Sequence, residues 1–157
     1  MTNPGPSISR LKGTLKAVLV NLKGVMLSRI WRAAIVGIDA IKVGVEVDLS
    51  GGLPTMVVVG LPDAAVQESR ERTRAALKNS GFPFPMRKIV INLTPADLRK
   101  EGPSFDLPIS MGVLAATEQI KLDLLDDFLF MGELSLDCTL MPVAGGLSTP
   151  AGAKSPH

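Results

Sequence analysis

From Lys42 to Leu49 the chain alternates without a break, with Val43, Val45, Val47 and Leu49 against Lys42, Gly44, Glu46 and Asp48. A period of two marks a strand with one buried face. The apolar run Ala33 to Ile38 precedes it and predicts another strand. Ser50-Gly51-Gly52-Leu53-Pro54 then predicts a turn, and Thr55 to Val59 reads as a more fully buried strand, so a hairpin or meander is expected. At Asp63 the period changes. Asp63 is placed to cap a helix running from about Ala64 to Ser80, stopped by Gly81 and Pro83, whose narrow face is Val66, Ser69, Thr73, Ala76 and Leu77. Glu68 and Arg72 are spaced to pair on that helix, while Arg70, Arg74 and Lys78 form a basic stripe.

A strand follows over Arg87 to Leu93, and strand, helix and strand in that order suggest a crossover between parallel strands. Leu107 to Thr117 is apolar on every side and predicts a buried central helix. Phe128 to Met131 is expected to be a strand, and Gly132 to Asp137 with Thr139 to Val143 a turn and a closing pair of short strands. The expected class is α+β, a mixed sheet of about six strands with two main helices.

The ends differ in character. Residues 1–25 begin with Asn3-Pro4-Gly5-Pro6-Ser7 and continue with Ile8, Leu11, Leu15, Val18, Leu19 and Leu22 at helical spacing among lysines, which predicts a flexible or basic amphipathic extension ahead of Met26. Residues 26–147 are expected to form the domain. Residues 148–157 are expected to be a disordered, truncated tail.

Composition narrows the chemistry. The chain has 157 residues, 46% apolar and 20% charged, which suits one globular unit with no membrane span. Its net charge of +2 is uneven: residues 1–38 carry six bases and no acid, so the body of the domain is mildly acidic. A broad nucleic-acid face would normally give the body a basic surplus. Cys138 is the sole cysteine and His157 the sole histidine, which excludes an internal disulfide, a Cys/His zinc site and a Ser-His-Asp triad. A cytoplasmic setting is compatible with this cysteine usage.

The most unusual segment is Asn92-Leu93-Thr94-Pro95-Ala96-Asp97-Leu98-Arg99-Lys100-Glu101-Gly102-Pro103-Ser104-Phe105-Asp106-Leu107-Pro108. It joins a strand to the buried helix. Ser104 falls at that helix's N-terminus, where free N–H groups and partial positive charge can hold an anion or an oxyanion, and where a serine most simply acts as a cap. As a nucleophile Ser104 would need a lysine held neutral by burial.

Together with Ala34 to Ala40, Val45 to Asp48, Val59 to Asp63, Glu68 to Arg72, Lys78 to Phe82 and Gly132 to Asp137, that segment resembles the amino-terminal domain of the ComM/YifB family, bacterial AAA+ ATPases described as magnesium-chelatase-like. The resemblance implies a fold similar to the Lon protease domain and ribosomal protein S5 domain 2, a βαβ sandwich. In Lon-type proteases the serine of a Gly-Pro-Ser turn is the nucleophile, and Gly102-Pro103-Ser104 matches it. The partner lysine follows Gly-Gly-Leu, and here Gly145-Gly146-Leu147 leads to Ser148. Neither Lys154 nor Lys100 restores the pair, and Phe105 replaces a small residue. Family members continue into an ATPase module and are associated with DNA branch migration in natural transformation. The nearest approach to a P-loop, Gly146 through Ser155, has Ala153 between its glycine and Lys154.

The resulting expectation is a non-catalytic accessory domain with no cofactor and no metal, whose partner is an ATPase module or a second copy of the chain. Arg70, Arg74, Lys78, Arg99 and Lys100, with Arg87 and Lys88 beside them, are the candidate contacts to that partner or, alternatively, to DNA. Ser104-dependent peptidase activity is the second alternative.

Overall fold

A computed structural model describes residues 19–20, 26–36, 38–121 and 128–142. Among them are seven strands and two helices: β1 (Leu19–Val20), β2 (Met26–Val36), β3 (Asp39–Ser50), β4 (Thr55–Val59), α1 (Ala64–Asn79), β5 (Lys88–Thr94), α2 (Asp106–Ala116), β6 (Glu133–Leu134) and β7 (Leu140–Met141). The main sheet has the order β1-β2-β3-β5-β4. β2 and β3 form a long antiparallel hairpin in which Trp31 faces Gly44 and Ile30 faces Val45. β5 pairs antiparallel with β3 and parallel with β4, so the sheet is mixed and the fold is α+β, as the alternation of elements predicts.

The core follows the period-2 pattern. Val43, Val45, Val47 and Leu49 of β3, with Ile89, Ile91 and Leu93 of β5, are buried on the face that α2 covers with Ile109 and Val113. Each such side chain contributes about 1.5–3 kcal/mol by leaving water. α2 reaches the sheet at Gly112, where a Cβ would stand 2.6 Å from Val47 Cγ2, and where Ser28 Oγ of β2 donates to the Gly112 carbonyl at 2.6 Å. The five small residues picked out on α1 are its buried face. They meet α2 through Ser110 Oγ, which donates to Thr73 Oγ1 at 3.3 Å.

Several details differ from expectation. β4 pairs with β5 alone and lies at the sheet edge, so Val57 and Val59 are exposed while Met56 and Val58 are buried. Its apolar run suggested burial on both faces, but one face has no covering layer. The closing strands β6 and β7 form a separate ribbon and do not extend the main sheet. Phe128 to Met131 is not a strand; among the described residues, its Phe130 N–H donates to the Trp31 carbonyl at 2.8 Å before Gly132 turns toward α2. Of the expected amphipathic helix, Leu19 and Val20 pair as a strand with Leu27 and Met26. The remainder of that helix, and the tail 148–157 with Ser148 and Lys154, lie outside the described residues.

Between β4 and α1 the chain turns at Gly60, which adopts φ +98° with its α-carbon against the Leu93 backbone. A Cβ there would overlap the Leu93 carbonyl, and the left-handed φ adds strain for any L side chain. Gly60→Ala is expected to cost about 3 kcal/mol or more, read as a lowered urea midpoint with unchanged slope. A loss below about 1 kcal/mol would show that this close approach does not constrain the fold.

Candidate functional site

The turn after β4 and the segment after β5 are stitched together strand-like. Lys100 N–H donates to the Leu61 carbonyl at 2.9 Å and Asp63 N–H to the Lys100 carbonyl at 2.9 Å. The Asp63 carboxylate does two jobs. Oδ1 accepts from Val66 N–H at 2.8 Å as the predicted cap of α1, and Oδ2 accepts from Gly102 N–H at 3.0 Å. Gly102 takes φ +85° and leads into a 3-10 turn, Pro103–Phe105, that runs directly into α2.

This geometry corrects two expectations. Ser104 is not the cap of α2: that position belongs to Phe105, which makes no side-chain cap bond. Ser104 is 3% exposed, and its Oγ accepts a hydrogen bond from Arg32 Nη2. Lys100 does not face outward with Arg99 and Glu101. Because its backbone is zipped to Leu61 and Asp63, its side chain turns inward to 1% exposure and Nζ donates to the Pro95 carbonyl. Arg99 is exposed and pairs with Glu101 at 3.3 Å.

Two charged residues absent from the sequence reading of the site surround Ser104. Asp106, fully buried, receives Arg72 Nε on Oδ2 at 2.7 Å and Arg72 Nη2 on Oδ1 at 3.1 Å, with Leu134 N–H adding a third bond to Oδ2 at 3.0 Å. The hydrogen bonding that Arg72 donates to Asp106 is the main reason its guanidinium is held above its ordinary pKa. Arg72 also keeps its predicted partner Glu68, at 3.4 Å. Arg32, buried on β2, stacks on the Phe105 ring with Cζ 3.9 Å from the centroid, and burial pulls its pKa down to about 10. Apolar neighbours gave no sign in the sequence that a strand arginine would point inward.

The basic stripe does not act as a unit. Arg70 turns back onto its own fold, donating through Nε to the Gln67 carbonyl at 3.0 Å and through Nη1 to the Met56 carbonyl at 3.3 Å. Arg74 and Lys78 flank the Phe84 ring at 5.6 and 5.9 Å from its centroid. Lys100 is removed from the stripe by burial, and Arg99 stands apart from it beside Glu101.

A family described as subunit ChlI of Mg-chelatase matches residues 45–157. The chain is 46% identical over 123 residues to the YifB protein of Escherichia coli K12, covering 78% of this chain and 24% of that protein. It is 44% identical over 119 residues to the competence protein ComM of Haemophilus influenzae Rd, covering 76% and 23%. An uncharacterized protein of Mycobacterium tuberculosis H37Rv is 42% identical over 128 residues, covering 82% and 25%. The chain belongs to the Mg-chelatase ChlI-like family that includes YifB and ComM. It spans about a quarter of the length of these curated relatives. The recognition made from the Asn92 to Pro108 segment and its companions is therefore correct. Among the described residues, no helix is long and apolar enough to cross a membrane.

The Arg72–Asp106 ion pair predicts an asymmetry. Arg72→Met leaves Asp106 buried without its cation and is expected to cost about 3–5 kcal/mol. Asp106→Asn leaves an arginine that can still reach water and should cost less, about 2–3 kcal/mol. Denaturant unfolding of the two variants distinguishes them, and the reverse order would refute this arrangement.

Lys100 predicts a pH effect. Burial lowers its pKa below 10.5, outweighing the opposing pull of Asp97. The unfolded chain then holds this proton at pH values where the folded chain has released it, so stability rises with pH as the folded pKa is passed and until 10.5. Comparing unfolding of the wild type and Lys100→Met across pH 7 to 10.5 should show that rise flattened in the variant.

Proposed function

We propose that this chain is a non-catalytic accessory domain of a ComM/YifB-type AAA+ ATPase, built on a Lon-like, S5 domain 2-like fold, and that it mediates assembly with that ATPase. The carrying observation is that Ser104 Oγ accepts from an arginine. A guanidinium cannot take up the serine proton at physiological pH, so this pair does not make a nucleophile. Phe105, buried under Arg32, fills space beside the serine. Membership of the family supports this reading: the matched stretch is about a quarter of each relative, the relatives are more than three times as long as this chain, and ComM is named for competence.

A second reading, direct contact with DNA, is favoured by one feature. Arg74 and Lys78 flank Phe84, and cations beside an aromatic ring suit a single strand's phosphates and bases.

The test mixes the purified chain with the ComM-type ATPase of the same genome and measures binding by calorimetry, with casein peptidase assays on the chain alone. Binding to the ATPase and no Ser104-dependent cleavage are expected. Casein cleavage that Ser104→Ala abolishes would overturn the non-catalytic reading. The DNA reading is judged by anisotropy with branched and single-stranded DNA at 50 and 200 mM salt, where Arg74→Ala with Lys78→Ala should weaken binding and reduce its salt dependence.

A further inference from the structure

Arg72 and Arg32 present the same edge to different partners. Arg72 closes its Nε/Nη2 edge on the Asp106 carboxylate, one nitrogen to each oxygen. Arg32 offers its own Nε/Nη2 edge to a single serine oxygen: Nη2 is engaged by Ser104 Oγ, and Nε, buried, has no hydrogen-bond partner among the described residues. A planar fork that matches two oxygens is thus half filled.

Among the described residues, no carboxylate pairs with Arg32. Asp106 is the acid in the first turn of α2, but both its oxygens are committed to Arg72, and Oδ2 also to Leu134 N–H. Burial alone lowers the Arg32 pKa, with no offsetting carboxylate among the described residues. A buried cation without a counter-ion costs several kcal/mol, and an orphaned buried N–H adds to that cost. The surroundings add positive character: α2, eleven residues long, begins at Asp106, directing its N-terminal dipole toward Ser104 and Phe105. Ser104 Oγ accepts from Arg32, so its own O–H remains available as a donor.

We propose that the Nε/Nη2 edge of Arg32 and the hydroxyl of Ser104 form a binding site for a small oxyanion, a carboxylate or an inorganic phosphate. The anion takes Nε–H and Nη2–H as Asp106 takes those of Arg72, and receives the Ser104 O–H in place of the present contact. Arg32 retains 6% exposure, Ser104 3%, and Nε is buried, so a small ion enters only as the Arg32–Ser104 contact gives way, and a folded partner is excluded. A position matching a protease nucleophile is in this way turned to holding charge. The site is independent of whether the chain assembles with an ATPase.

The experiment titrates the chain separately with inorganic phosphate and with sodium acetate at constant ionic strength held by chloride. It follows the Arg32 Nε–H resonance by 15N NMR and the thermal midpoint. A saturable shift of that resonance with a concentration-dependent rise in midpoint is expected for at least one probe. Response to phosphate alone assigns a phosphoryl ligand, and response to acetate alone a carboxylate. Ser104→Ala should weaken the apparent affinity about tenfold, the effect of one hydrogen bond to a charged group. Arg32→Lys, which keeps the charge but loses the fork, should abolish the midpoint response. No saturable shift with either probe, or a response unchanged in Ser104→Ala, overturns the proposal, and that result stands even if the Arg32 variant fails to fold.

Discussion

One carboxylate joins the two halves of this domain. Asp63 gives one oxygen to the first turn of α1 and the other to the Gly102 N–H, nearly forty residues later, and its own N–H reaches the Lys100 carbonyl. Capping alone would stabilise one helix by about 1 kcal/mol. Here the same group fixes where the β4–α1 turn meets the segment after β5. Gly60 supplies the close approach to Leu93 that brings the two within reach, and Gly102 supplies the left-handed backbone that lets the chain continue into α2. Removing Asp63 would therefore free a helix end and a loop together.

From that junction α2 is launched across the sheet with its charges already assigned. Asp106 opens the helix, and Arg72 reaches it from α1, so the two helices are tied by a buried ion pair at the point where the 3-10 turn ends. Gly132 completes the arrangement, donating to the Ser104 carbonyl at 3.0 Å and accepting from Leu107 N–H at 3.0 Å. The ribbon of β6 and β7 is thereby held against the start of α2, and Leu134 N–H reaches the same carboxylate. Sheet, helices and ribbon converge on a few residues around Ser104.

Much of this was legible in sequence because local chemistry and global packing agree there. The alternation at Val43 to Leu49, the small face of α1, the Asp63 cap and the apolar α2 each follow from period or capping. Less visible was anything set by which element lies beside which. Val57 and Val59 read as core because a strand's position at the edge is not written in its own residues. Lys100 read as surface because the backbone pairing that turns it inward joins segments far apart in sequence. Arg32 was invisible as a site residue for the same reason: its partner is seventy-two positions away, and an arginine at an inward strand position breaks the pattern that finds strands.

That break bears on how the match to the family is interpreted. Several of the residues that carried the recognition, Gly60, Asp63, Arg72, Gly102 and Asp106 among them, are bound up in turns, caps and a buried ion pair. Their presence together argues for a shared fold, since each depends on another for its partner. Chemistry at Ser104 depends instead on the group that meets its oxygen, and that group comes from β2, outside the segment containing the Gly-Pro-Ser turn. A lysine there, held neutral by burial, would make a base; an arginine at the same depth stays protonated, with a pKa of about 10 even after desolvation. The same turn is therefore compatible with opposite electrostatic roles, and here the inward-facing Arg32 of β2 places a cation on its serine.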